Sequence, residues 1–143
     1  MNDEMLKLDN QLCFPLYAAA RKVVNLYTPY LKPLGITYTQ YLVFLVLWEN
    51  DGQTVRDLCR RLYLDSGTLT PLLKKMEDCG YIVRERLPED ERCVRISLTD
   101  KGRDMKSAAA EIPLQVGSCI RLEPEEAMNL YNTLYKLIRS QEE

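Results

Sequence analysis

Five cysteines and the absence of histidine limit the chemistry that this 143-residue chain can perform. Without histidine, Ser-His-Asp and Cys-His nucleophilic dyads are impossible within the chain, as are histidine-ligated zinc and haem sites. No two cysteines form a CxxC motif, which argues against zinc ribbons and thioredoxin-type redox motifs. We therefore expect no metal and no cofactor, and free thiols at Cys13, Cys59, Cys79, Cys93 and Cys119.

Length and composition predict one soluble domain over residues 1–143. Hydrophobic residues make up 46% of the chain, but no apolar run approaches the ~20 residues that cross a bilayer. The first ten residues are polar and acidic, unlike a signal peptide. We therefore expect a cytoplasmic protein without a membrane partner.

The distribution of charge leaves nucleic-acid binding open despite a net charge of −2. Residues 54–106 carry 12 basic and 10 acidic side chains, so the middle of the chain is mildly basic and its ends are acidic. The position of charge matters more than its sum when a polyanion binds.

Hydrophobic periodicity predicts amphipathic helices at both ends of the chain. Apolar residues recur every three or four positions from Leu8 to Tyr27. Pro15 lies inside this pattern, so the helix either kinks there or its regular part begins nearby. After residue 99 a further helix is expected to kink or end at Pro113, and the last helix opens at Pro124.

Three short helices and a hairpin are predicted between these ends. A capping box at Thr37 and Gln40 begins the first of these helices, and Thr54 with Asp57 can cap the second. A third helix lies between residues 65 and 80. Tyr81–Arg86 and Cys93–Leu98 are predicted strands joined by the polar tip Leu87–Arg92. The fold class is therefore mainly α with a small β-hairpin wing.

This order of elements describes a winged helix-turn-helix at about residues 37–98. It is flanked by helices at about 8–31 and 100–140, whose apolar stripes need a partner. We interpret these as dimerisation helices and expect a homodimer.

Four segments resemble one family of regulators. Tyr63–Lys74, with the sequence YLDSGTLTPLLK, closely resembles the recognition helix of MarR-family regulators. Glu89–Arg92 resembles the family's wing tip, and Leu98–Gly102 resembles the start of its next helix. Leu8–Phe14, with the sequence LDNQLCF, resembles the organic-hydroperoxide-sensing branch of the family.

The resemblance implies a homodimeric, redox-controlled repressor rather than an enzyme. It places the reactive cysteine of the branch at Cys13 and its two hydrogen-bonding tyrosines at Tyr27 and Tyr38. A resolving cysteine, present in some members, would be Cys119. Pro15 departs from the apolar residue that is usual beside the reactive cysteine.

The same resemblance predicts the contacts to double-stranded operator DNA. Asp65, Ser66 and Thr68 match the recognition helix, and Arg92 matches the wing arginine, with Asp90 placed to orient it. Further candidates from the residues themselves are Thr70, Lys74, Lys75, Arg84 and Arg86. The lysines could equally form a solvated helix face, and charged strands often serve only solubility.

Cys13 has two interpretations. From composition alone it is a small buried hydrophobe. As a sensor, its thiolate would be stabilised by phenol hydroxyls, and an apolar pocket would favour organic hydroperoxides. Oxidation would give a sulfenic acid that condenses with Cys119 of the other subunit or with a small cellular thiol.

Two other functions remain open at this point. One is a MarR-type regulator that binds a small apolar or phenolic ligand, with Cys13 incidental. The other is a thiol peroxidase, against which stand the missing histidine and CxxC motif and the presence of a winged helix.

Overall fold

The computed structural model describes residues 2–142 and is mainly helical with a small antiparallel sheet, as predicted. In the described part of the chain, no helix is long and apolar enough to span a membrane. Short 3-10 turns precede the first helix and follow it. The main elements are α1 (Cys13–Leu31), α2 (Tyr38–Glu49), β1 (Gln53–Thr54), α3 (Val55–Leu62), α4 (Ser66–Asp78), β2 (Ile82–Leu87), β3 (Asp90–Leu98), α5 (Asp100–Ala109), α6 (Ile112–Gly117) and α7 (Pro124–Ser140).

The predicted capping box begins α2, and the predicted cap at Thr54 is also a capping box, which begins α3. The Thr37 hydroxyl accepts from the Gln40 amide at 3.2 Å, and the Gln40 side chain accepts from the Thr37 amide at 3.0 Å. Thr54 and Asp57 form the equivalent pair at 3.1 and 3.2 Å. These reciprocal bonds satisfy amides that have no partner within the helix, which fixes where each helix starts.

Both terminal regions differ in detail from the prediction. The helix does not extend back to Leu8, which lies in a 3-10 turn; α1 begins at Cys13, with Pro15 near its start. The missing amide of proline costs little in a first turn. The prediction that Pro113 kinks or ends a helix is wrong. The preceding helix α5 already ends at Ala109, and Pro113 lies in the first turn of α6, where a proline is tolerated.

The sheet has the order β1-β3-β2, with both pairings antiparallel. The hairpin register runs from Ile82 opposite Leu98 to Arg86 opposite Val94, and then shifts so that Leu87 pairs with Asp90. The predicted tip is therefore too long, because β3 begins at Asp90 rather than Cys93. The two-residue strand β1 was not predicted, since its only partner lies more than 40 positions away.

The core lies between α2, α3, α4 and the sheet. Its largest fully buried side chains are Phe44, Leu47, Leu58, Leu69, Leu73, Met76, Ile82 and Ile96. The Trp48 indole stacks on Phe44 and donates to the carbonyl of Gly102 at 3.0 Å. This hydrogen bond joins α5 to α2 and thereby fixes the position of the helix that follows the hairpin.

The terminal helices expose apolar side chains that this core does not cover. No residue of α7 is buried, and Leu31 is the buried residue of α1. The exposed set on these elements and their flanks includes Leu12, Phe14, Leu16, Tyr17, Val23, Ile120, Leu122, Met128, Leu130, Tyr131 and Leu137.

Candidate DNA-binding surface and thiol site

The helix α4 has one buried face and one polar face. Leu69, Leu73 and Met76 are fully buried against the core. Four of the predicted DNA contacts, Ser66, Thr68, Lys74 and Lys75, are solvent-exposed, and Thr70 is half-buried. The predicted residue Asp65 caps the helix, because its Oδ1 accepts from the Thr68 amide at 2.7 Å. The helix thus presents hydroxyls at its start and ammonium groups further along.

The hairpin tip presents one arginine to solvent. The Arg92 side chain is 95% exposed, and its Nε lies 3.9 Å from Asp90 Oδ1. The same carboxylate oxygen accepts from the Arg92 amide at 3.0 Å. Asp90 therefore holds both the backbone and the guanidinium of Arg92, as an orienting residue would.

The other two predicted hairpin arginines have partners within the protein. Arg84 is bound by Glu77 of α4 through both its amide and its Nε. Arg86 Nη1 donates to the Glu91 carbonyl at 2.7 Å, which closes the hairpin. Sequence reasoning missed Glu77, because its partner lies seven positions away across a change of secondary structure.

A cleft of about 220 Å³ lies between α3, α4 and the hairpin. It brings together four predicted residues, Ser66, Thr70, Arg84 and Arg92, and adds Arg56 from the first turn of α3. Nothing in the local sequence marks Arg56, since three separate elements build the cleft.

Cys13 is the first residue of α1 and is exposed, like the neighbouring Leu12, which is 87% exposed. The interpretation of Cys13 as a buried core residue of this chain is therefore wrong. Its thiol is open to a small oxidant or to a second protein surface.

Tyr27 and Tyr38 are brought together at the other end of α1. Their ring centroids are 4.8 Å apart, and Tyr41 lies 5.7 Å from Tyr27 and 6.4 Å from Tyr38. Burial, with a smaller contribution from the Tyr27 phenol, raises the pKa of Tyr38 and of Tyr41 above the ordinary value of 10.0. Near neutral pH both hydroxyls are therefore protonated and able to donate hydrogen bonds.

Cys13 does not meet this tyrosine cluster within one chain. Cys13 and Tyr27 are 14 positions apart on the same helix, which corresponds to about 21 Å at the helical rise. A hydrogen bond between their side chains is impossible at that distance. Beside Tyr38 there is an open cavity of about 420 Å³ whose apolar lining comes from Val24, Leu31 and Ile36.

Cys119 follows α6 and is exposed, with its Sγ 3.4 Å from the Gln115 carbonyl. It lies next to Tyr30 of α1, where electrostatic repulsion from the Cys119 side chain, then burial, raises the pKa of the Tyr30 phenol. Of the remaining thiols, Cys59 is half-buried, and its pKa is raised by burial and by Asp65. Cys93 lines the cleft beside the hairpin, and Cys79 is exposed.

Two short helices, a polar-faced α4 and a hairpin tipped by an arginine define a winged helix-turn-helix regulator. A family model described as "Transcriptional regulator SarA/Rot" matches residues 25–109. The organic hydroperoxide resistance transcriptional regulator of Bacillus subtilis (strain 168) is 47% identical over 135 residues, which cover 94% of this chain and 92% of that protein.

Solved structures of AbfR from Staphylococcus epidermidis are also similar. Reduced AbfR bound to DNA has a TM-score of 0.80 and 40% identity, with all of both chains covered. The disulfide-formed AbfR structure has a TM-score of 0.66 and 42% identity, covering 96% of this chain and 97% of that one. Between these two states of AbfR, the present fold is closer to the reduced, DNA-bound one.

The chain therefore belongs to the MarR-type transcriptional regulators, in the branch of the organic hydroperoxide resistance regulators. It is a regulator and not an enzyme. Its relatives favour a redox-sensing DNA-binding repressor and do not favour control by a phenolic ligand.

Proposed function

We propose that this chain acts as a cytoplasmic homodimer that represses transcription and leaves its operator when organic hydroperoxides oxidise Cys13. The observation that carries the proposal is the exposed Cys13 thiol at the start of α1, in a chain that matches the Bacillus regulator over nearly its whole length. The proposal has three parts, which concern assembly, DNA contact and thiol chemistry.

The assembly proposed is a dimer made by residues 8–31 and 100–140, with the DNA-binding unit at 37–98. The support is the uncovered apolar surface of α1 and α7, including Leu130 and Leu137, which are 47% and 46% exposed. Burying such surface in a second copy is favourable by roughly 25 cal/mol per Å². A two-fold dimer would also present two α4 helices to two half-sites of an operator.

For DNA contact, we propose that α4 enters the major groove and the wing enters the adjacent minor groove. Ser66, Thr68 and Thr70 would contact base edges or phosphates, and Lys74 and Lys75 would contact phosphates. Arg92, oriented by Asp90, would enter the minor groove, since its side chain is 95% exposed at the tip of the wing.

The sensor site proposed is shared between two subunits. Because Cys13 and Tyr27 of one chain are about 21 Å apart, the tyrosines that stabilise the Cys13 thiolate must come from the other subunit. The hydroxyls of Tyr27 and Tyr38 would donate to the sulfur and favour the thiolate without adding positive charge. The apolar cavity beside Tyr38 would hold the alkyl group of an organic hydroperoxide.

The oxidation step follows from thiolate chemistry. The thiolate sulfur attacks the terminal peroxide oxygen, the O–O bond breaks, and the leaving alkoxide takes a proton from water, so that the products are a sulfenic acid and the alcohol. The sulfenic acid then condenses with a second thiol, releasing water and forming a disulfide. Cys119 of the other subunit or a small cellular thiol would supply that second sulfur.

Operator release measured against peroxide dose tests this function. The probe is a fluorescent duplex that the wild-type protein has selected from a random-sequence pool, and binding is followed by anisotropy. Cumene hydroperoxide should release the wild-type protein, and a reductant should restore binding. Cys13→Ser should bind the duplex equally well and stay bound, whereas Cys79→Ser, the control for an exposed thiol elsewhere, should behave as wild type.

Two outcomes would overturn the proposal. If Cys13→Ser still releases DNA on oxidation, the sensor is another residue. If wild-type protein ignores peroxide but releases DNA on addition of a phenolic compound, the chain is a ligand-controlled regulator.

A further inference from the structure

We propose that the cleft between α3, α4 and the wing is a binding site for the DNA backbone, in which Arg56 contacts a phosphate. The inference deepens the proposed operator binding and rests on it. It assigns a role to a residue of the first helix of the helix-turn-helix motif that no sequence motif had singled out.

The position of the cleft follows the path of a DNA strand. If α4 occupies the major groove and the wing the neighbouring minor groove, the sugar-phosphate strand that separates those grooves must pass between the two elements. The cleft of about 220 Å³ lies at that place, lined by Ser66 and Thr70 of α4 and by Arg92 of β3. Arg56 of α3 also lines it.

The lining of the cleft suits a phosphodiester. Three guanidinium groups and three hydroxyls line it, and within residues 2–142 the lining set includes no carboxylate. The two non-bridging oxygens of a phosphodiester carry one negative charge and accept hydrogen bonds from both kinds of donor. The contributing side chains are Thr54, Arg56, Ser66, Thr70, Arg84 and Arg92.

Among these arginines, Arg56 is the one available for a new ion pair inside the cleft. Arg84 is bound to Glu77, and Arg92 lies beside Asp90 at the exposed tip. Arg56 is exposed and forms no salt bridge with any residue from 2 to 142. Its neighbour Asp57 lines a different cavity, with Glu49 and Arg61.

The salt dependence of DNA binding tests this inference. Arg56→Ala should lower the slope of log affinity against log salt by about 0.9 for each subunit that loses a phosphate contact. At fixed salt the affinity should fall on the order of tenfold. The selected operator and a random duplex should be affected alike, because a phosphate contact carries no sequence information.

Two matched variants make the result specific. Arg56→Lys keeps the charge and should keep the slope. Arg61→Ala removes an exposed arginine from the same helix, one that pairs with Glu49 at 3.6 Å outside the cleft, and should also keep it. A wild-type slope in Arg56→Ala, or an equal drop in both alanine variants, would overturn the inference. Failure of wild-type protein to bind any duplex would instead count against the proposed function.

Discussion

Glu77 holds Arg84 by both its backbone and its side chain. Glu77 Oε2 accepts from the Arg84 amide at 3.0 Å, and Oε1 lies 3.4 Å from the guanidinium Nε. Glu77 belongs to the last turn of α4, and Arg84 belongs to β2, an edge strand of the sheet. The pair therefore joins the DNA-facing helix to the wing and occupies an amide on the free edge of β2.

We expect Glu77 to act on DNA binding through the wing. Glu77→Ala should weaken operator affinity by roughly 1 kcal/mol, because losing a hydrogen bond to a charged group lets the wing move relative to α4. A double-mutant cycle with Arg92→Ala measures this. If Glu77 positions Arg92, removing Glu77 should cost little affinity once Arg92 is already absent. If the affinity losses of Glu77→Ala and Arg92→Ala add up in the double variant, Glu77 does not position Arg92.

Gly102 occupies a place where no side chain fits. A Cβ there would lie 2.2 Å from the Tyr81 carbonyl oxygen and 3.0 Å from Leu98 Cδ2. Gly102→Ala should therefore destabilise the fold by about 1–3 kcal/mol, since the hairpin and α5 must move apart. Thermal unfolding checks this, with Gly117→Ala as the control. A Cβ at Gly117 meets no heavy atom within 4 Å, so that variant should unfold at or above the wild-type temperature.

Tyr41 should make the fold sensitive to alkaline pH. Tyr41 is 3% exposed, and burial raises its pKa above 10.0, so the unfolded chain loses the phenolic proton at lower pH than the folded chain does. The free energy of unfolding should therefore fall as pH rises above 10, by up to about 1.4 kcal/mol per pH unit from this group.

Urea unfolding across that pH range checks the sign. Tyr41→Phe should lose stability less steeply than wild type above pH 10. Tyr17→Phe, which removes a phenol that is 60% exposed, serves as the control and should keep the wild-type slope. If the free energy of unfolding of Tyr41→Phe falls more steeply with pH than that of wild type, the Tyr41 phenolate is stabilised in the folded state.

The parts of the fold that depend on neighbouring residues could be predicted from the sequence. The capping boxes at Thr37 and Thr54 are built from residues three positions apart, so their pattern is visible in the chain itself. The alternation of Val94, Ile96 and Leu98 is likewise visible in the chain and indicates the face of β3 that packs on the core, where Ile96 is fully buried.

The parts that depend on distant residues could not be predicted. The strand β1 exists because Gln53 pairs with Ile96, and the Glu77–Arg84 link joins two elements. Arg56 reaches the cleft because α3 folds back beside the hairpin. The contact between Tyr27 and Tyr38 exists because α2 packs beside α1, whereas the distance of about 21 Å from Cys13 to Tyr27 follows from their spacing on one helix.

That distance leads to a prediction about dimers made of two different chains. One chain carries Cys13→Ser and keeps both tyrosines, while the other carries Tyr27→Phe and Tyr38→Phe and keeps Cys13. In the mixed dimer, Cys13 of the second chain faces intact tyrosines only if the sensor site is shared between subunits. We therefore expect Cys13 in this heterodimer to react with cumene hydroperoxide at the wild-type rate per thiol.

The comparison needs three homodimers and one direct readout. Differently tagged chains are co-purified, and trapping of the Cys13 sulfenic acid is followed by mass spectrometry. The double-tyrosine homodimer should react more slowly than wild type, because its thiolate lacks two hydrogen bonds, and the Cys13→Ser homodimer should give no product at this position. If the heterodimer reacts as slowly as the double-tyrosine homodimer, the tyrosines do not act across the interface. Tyr27 and Tyr38 would then donate no hydrogen bond to Cys13, since the 21 Å along α1 prevents them from reaching it within one chain.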